Sequence, residues 1–164
     1  MTRTLILMRH AKSSWGGPAV DDHDRPLNAR GNRDAPRIGR WLAENDLVPD
    51  HAHCSTARRA QETLEGLGHT TPTTLVPDLY MASPAMLLKT IRAATAPRII
   101  VVAHNPGIGA FGHQIVKAPP AHPRFHDTPT AATLVVEFDT DDWSKIEAGS
   151  GSVRAFITPH DLPE

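Results

Sequence analysis

The chain has one cysteine, Cys54, among its 164 residues. No intramolecular disulfide can form, so a hydrophobic core has to hold the fold by itself. At this length a single domain spanning residues 1–164 can bury that core without a structural metal. Aromatic residues amount to only 5%, few for the stacking platforms on which proteins hold single-stranded nucleic acid. Lys and Arg number 17 against 18 Asp and Glu, a net charge of −1. Such a balance exerts no global pull on nucleic acid or an anionic membrane, so any anion site has to be local. No apolar run approaches the length of a membrane span. The first apolar stretch is cut by Arg9 directly after Met8, short of a secretory signal, and a cytoplasmic protein without a membrane partner is the expectation. Ten histidines raise the question of a metal. His51 and His53 are the close pair, and nothing at ligand spacing completes them, so neither a metal nor another cofactor is expected.

What remains is a regular alternation of apolar strands and amphipathic segments. Residues 3–8 read as a short, continuously apolar strand, the pattern of a strand buried on both faces, and it delivers Arg9 and His10 at its end. Residues 12–24 hold Ser13, Ser14, Gly16, Gly17, Pro18 and three aspartates, a loop composition suited to covering a site. A helix over residues 29–44 follows, with Asn28 as its cap. Pro36 disturbs that pattern, so either Asp34 is the working cap or the helix is kinked. Ile38, Trp41 and Leu42 recur at helical spacing and face the sheet, while Arg37, Arg40 and Glu44 point outward.

A strand at residues 51–54 leads into a helix capped by Ser55 or Thr56 and running to about Leu67. Arg58 and Arg59 fall in its first turn, where cations oppose the helix dipole; an anion held between them and the free N–H groups would explain their position. Residues 73–76 form a short strand, and residues 83–94 a helix capped by Ser83 with Pro84 at its first position. The run 98–103, with Ile-Ile-Val-Val, is a second buried parallel strand, ending at His104-Asn105-Pro106-Gly107. A helix over residues 107–117 presents Ile108, Phe111 and Ile115 inward. Residues 118–130, with four prolines, are an extended loop, and strands at 132–138 and 153–158 close the chain as an antiparallel pair. The pattern predicts an α/β fold, a three-layer α/β/α sandwich with a mostly parallel sheet and an antiparallel contribution at the C-terminal end. Right-handed crossovers place the ends of the strands before Arg9 and His104 on one sheet edge, where ligands bind in such folds.

If His10, His104, Arg9 and Arg59 converge there, two guanidiniums can clamp a phosphoryl group and a neutral histidine can attack it. Arg9-His10-Ala11, the run from Ser55 to Thr63 and Ala103-His104-Asn105-Pro106-Gly107 together resemble the histidine phosphatase superfamily, which includes the phosphoglycerate mutases. Arg9 to Ser13, Asp24 to Gly31, Pro129 to Ala132, Trp143 and the closing Thr158 to Leu162 resemble its SixA-type phosphohistidine phosphatases. The resemblance implies His10 as the phosphate-accepting nucleophile, Arg9 beside it, His104 as the second pocket histidine and Arg59 as the clamp, with Arg58 left at the surface. Lys12, Arg25 and Asn105 are the expected substrate-binding residues. Met81 lies where many members carry a glutamate acid, and Asp22 is the candidate replacement. Without an acid, a P–N substrate is favoured over a P–O one, because the far nitrogen of a phosphohistidine ring can be protonated beforehand. The expected partner is a phosphorylated protein, with a small phosphorylated metabolite as the alternative. A catalytically silent phosphate-binding module is a further reading.

Two rivals are weaker. His53-Cys54 opens like a cysteine phosphatase loop, yet Ala60 stands where that loop needs an arginine, so Cys54 reads as a small buried residue. Arg37, Arg40, Arg58 and Arg59 could form a nucleic-acid patch, but helix-surface arginines are ordinarily just solvated.

Overall fold

Residues 1–15, 17 and 20–164 are described in a computed structural model of the chain. Gly16 and Pro18 of the loop expected over the site lie outside the described residues. The strands β1 (Arg3–Arg9), β2 (His51–Ser55), β3 (Thr73–Val76), β4 (Arg98–Ala103), β5 (Thr133–Phe138) and β6 (Ser152–Ile157) form a sheet in the order β3-β2-β4-β1-β5-β6. Pairing is parallel from β3 through β1 and antiparallel across β5 and β6. The α/β class and the antiparallel C-terminal contribution are therefore as expected.

The continuous apolar runs of β1 and β4 exist because both faces of the sheet are covered. Leu5 and Leu7 of β1, with Ile99 and Val101 of β4, pack against Leu87, Ile91, Ile108 and Phe111 of α3 (Pro84–Arg92) and α4 (Gly107–Ile115). The alternate residues Ile6, Met8, Ile100 and Val102 pack against Ile38, Leu42 and Ala60 of α1 (Ala29–Glu44) and α2 (Arg58–Gly66). A strand with period-2 side chains thus feeds two cores, the three-layer arrangement. Among the described residues no helix is long and apolar enough to cross a membrane.

Local chemistry sets the helix ends. Asn28 caps α1, accepting from the Gly31 N–H at 2.9 Å, and Pro36 lies inside that helix. Asp34 is not a cap; it is buried and paired with Arg37 at 3.0 Å. Arg37 does not point outward either, because its guanidinium donates to the carbonyls of Pro159 and Leu162, both at 2.7 Å, and ties the C-terminal segment to α1. Arg40 and Glu44 are exposed as expected. Ser83 caps α3 through the Met86 N–H, with Pro84 at the first position. Helix α2 starts later than expected: Ala57 holds the cap position without a side-chain bond, and Ser55 Oγ instead accepts from the Ala57 N–H at 3.2 Å. Helix α4 stops at Ile115 because Val116 turns extended and bridges to Gly151.

Candidate active site

Register brings the two histidines together. Arg9 of β1 pairs with Ala103 of β4, and the His10 N–H donates to the Ala103 carbonyl at 3.1 Å, so His10 and His104 leave adjacent parallel strands at the same level. Their ring centroids are 5.1 Å apart. Both side chains are buried. His10 Nδ1 lies 2.8 Å from the Ala11 carbonyl, which can only accept, so Nδ1 carries the proton and Nε2 presents a lone pair. Arg59 Nε donates to that nitrogen at 3.3 Å.

Burial is the main reason that the His10 pKa falls to about 4; the Ala11 hydrogen bond opposes it, and Arg59, Arg9 and Arg25 push further down. Burial likewise lowers His104 to about 3, helped by His10 and Arg59. Both rings are neutral near pH 7. His104 Nε2 sits 2.7 Å from Ser55 Oγ, whose oxygen already accepts from the Ala57 N–H. That oxygen keeps a second lone pair and its own O–H, so it can pair with either tautomer of His104, whose Nδ1 is a buried nitrogen with no hydrogen-bond partner among the described residues.

Arg59 is 2% exposed although it is the second residue of α2. Thr63, one turn along, donates to the Arg59 carbonyl at 2.7 Å and accepts from the Ala11 N–H at 2.9 Å, so one hydroxyl joins the helix to the chain just past His10. Arg59 Nη1 and Nη2 donate to the Asp22 carbonyl and carboxylate at 2.7 and 3.0 Å. The Asp22 carboxylate also accepts from the Tyr80 hydroxyl and, at 3.0 Å, from Arg25 Nε. Tyr80 first, then Arg59 and Arg25, hold this carboxyl well below the usual range against the opposing effect of burial. Asp22 is therefore held ionised in this arrangement. Its observed work is to orient Arg59. Arg9 donates to the Thr128 carbonyl at 3.1 Å, and burial lowers its pKa.

Arg9, His10, Asp22, Arg25, Arg59 and His104 border one cavity of about 220 Å³, together with Lys12, Ser13, Trp15, Met81, Asn105 and Thr130. All the residues expected to form the site thus meet in one hollow. Asn105, expected to bind substrate, is committed elsewhere: its amide donates to the carbonyls of Asp127 and Thr128 and accepts from the Gly109 N–H at 3.1 Å. Arg25 is partly committed too, to Asp22, Ser13 and the Ser14 carbonyl. Ser55, Thr63 and Tyr80 were missed as site residues. Ser55 and Thr63 lie within the motif that marked Arg59, and only the sheet order shows what their hydroxyls reach.

The rivals fare poorly. Cys54 is fully buried and its thiol is pushed up to about 12, so it is no nucleophile. The four arginines form no patch: Arg59 faces the cavity, Arg37 binds the C-terminal carbonyls and Arg58 pairs with Glu62 at 3.0 Å.

The family model described as histidine phosphatase superfamily (branch 1) matches residues 5–80. An uncharacterized protein of Mycobacterium tuberculosis (strain H37Rv) is 32% identical over 159 residues, covering 93% of this chain and 99% of that protein. The SixA structure from Nakamurella multipartitia superposes with a TM-score of 0.83 at 29% identity, over 97% of both chains. That from Agrobacterium tumefaciens gives 0.81 at 25% identity, over 96% of this chain and 98% of the other. With two histidines and two arginines converging at the ends of β1, β4 and the start of α2, the chain belongs to the histidine phosphatase superfamily, in its SixA-type branch.

Proposed function

We propose that this protein removes the phosphoryl group from phosphohistidine, breaking the P–N bond through a covalent intermediate on His10. Family membership supports phosphatase activity in general terms. The observation that carries the reading is the unprotonated Nε2 of His10, held in one tautomer by the Ala11 carbonyl and kept neutral by burial and three arginines. In the first step Nε2 bonds to phosphorus as the substrate P–N bond breaks, and the imidazole leaves neutral because its far nitrogen is protonated in advance. Water then attacks phosphorus, the bond to His10 breaks, and orthophosphate departs. Arg9 and Arg59 offset charge on the equatorial oxygens, beside the unpartnered Nδ1 of His104. Lys12 and Arg25 supply further positive charge at the mouth, and Asn105 holds the Thr128 carbonyl that positions Arg9.

Support for P–N over P–O comes from the proton inventory of the cavity. Met81 has no proton to give and Asp22 is ionised, so neither supplies an acid to an alkoxide leaving group. We propose a protein-borne phosphohistidine as substrate; a small phosphorylated metabolite is the alternative. Incubation with a radiolabelled phosphohistidine peptide, quenched without acid, tests the reading. Label is expected on the wild type and His104→Ala and absent from His10→Ala, with faster turnover of the peptide than of a sugar phosphate. Absence of label on the wild type would point to a silent binding module, and faster sugar phosphate hydrolysis would overturn the substrate.

A further inference from the structure

The cavity floor and the cavity mouth differ in chemistry. Arg9, Arg59, His10 and His104 form the floor, which takes the phosphoryl group on the reading above, so the leaving group lies at the mouth. There, Trp15 is 79% exposed and Met81 is 51% exposed. They are two of the five large hydrophobic residues exposed among those described, in a chain with only 5% aromatic residues. Neither is placed casually. The Arg25 guanidinium stacks 4.5 Å from the centroid of the Trp15 ring, and that arginine is itself fixed by Asp22 and Ser13. Met81 has a φ of 52°, a left-handed conformation costly for an unbranched side chain, and its sulfur lies 4.0 Å from Arg59 Nη2. Strain of this kind concentrates where a side chain is needed at a fixed place.

Two of the polar side chains near the mouth are meanwhile engaged. Asn105 spends its amide on the Asp127 and Thr128 carbonyls and the Gly109 N–H, and Arg25 donates to Asp22, Ser13 and the Ser14 carbonyl. Beside the Lys12 ammonium, a flat ring would find two apolar surfaces there. We infer that Trp15 and Met81 are specificity-determining residues, an apolar clamp that takes the planar ring of the leaving group, and that this ring is an imidazole. The inference rests on the phosphohistidine reading and adds the residues that select for the ring. Ring stacking and sulfur-to-ring contacts are each of a size to change selectivity several-fold.

Two substrates with the same bond and different leaving groups test it: N-phosphoimidazole, which releases a ring, and phosphoramidate, which releases ammonia. The readout is the ratio of their kcat/KM values. Trp15→Ala is expected to lower that ratio roughly tenfold and Met81→Ala roughly threefold, with Trp15→Phe restoring most of it. A ratio within twofold of the wild type in Trp15→Ala would overturn the clamp, as would an equal loss on both substrates, which would mark Trp15 as a mere cover for Arg25. Wild-type protein that turns over neither compound would overturn the phosphohistidine reading itself, and that outcome is recognised before any variant is made.

Discussion

His10 and His104 face each other as neutral rings because water is excluded and three guanidiniums surround them, and this has consequences for pH. For activity, the nucleophile stays unprotonated down to about pH 4. The acid limb of kcat/KM is therefore expected near pH 4 rather than near the ordinary histidine value of about 6.5, after correction for ionisation of the substrate. A profile that falls away between pH 7 and 6 would show that the ring is not held in this way. For stability, the folded pKa lies below the unfolded one, so the unfolded chain binds the proton first as pH falls. The contribution is complete above about pH 6.5 and is lost as pH drops toward about 4, to the extent of about 3 kcal/mol for His10. Denaturant titrations at pH 7 and pH 4.5 are expected to show a smaller loss in His10→Asn than in the wild type.

Elements as wholes were largely legible in the sequence, and the contacts between them were not. The runs of β1 and β4 could be read because a strand covered on both faces has no polar alternation, and the start of α3 because Ser83 and Pro84 are local signals. Arg59 could be told from Arg58 by the motif that includes Ala60 and Thr63. By contrast, Arg37 finds its carbonyl partners 122 and 125 residues away, Tyr80 meets Asp22 across 58 residues and His104 meets Ser55 across 49. The Ser55–His104 pairing follows from the placement of β4 beside β2, which no local pattern announces. Close helix packing is equally hidden: a Cβ on Gly39 of α1 would lie 2.0 Å from the Leu67 carbonyl oxygen, so α1 and α2 approach as only glycine permits. Gly39→Ala is expected to destabilise the protein by about 1–3 kcal/mol in chemical denaturation while leaving the acid limb of the pH profile in place. Arg37→Met, which leaves the buried Asp34 with only Arg30 at 3.5 Å and releases the Pro159 and Leu162 carbonyls, is expected to cost about 1–3 kcal/mol by the same measurement.

Taken as a whole, a chain of net charge −1 concentrates Arg9, Arg59, Arg25 and Lys12 around one hollow with Asp22 as its ionised counterweight. Oxyanions are therefore expected to bind there and stabilise the folded state by mass action. Tungstate or orthophosphate at about a hundred times its Kd should add about 2.7 kcal/mol, a rise in Tm of roughly 5–10 °C for a domain of this size. Arg59→Ala is expected to abolish most of that rise, and an undiminished shift in this variant would place the anion elsewhere.

The proton that His10 donates to the Ala11 carbonyl also decides which isomer of the covalent intermediate forms. With Nδ1 occupied, phosphorus can be captured only through the nitrogen farther from the backbone, giving the tele-phosphorylated ring and none of the pros form. The two isomers have distinct ³¹P and ¹⁵N resonances, so a single NMR spectrum of the trapped species reads the direction of one backbone hydrogen bond.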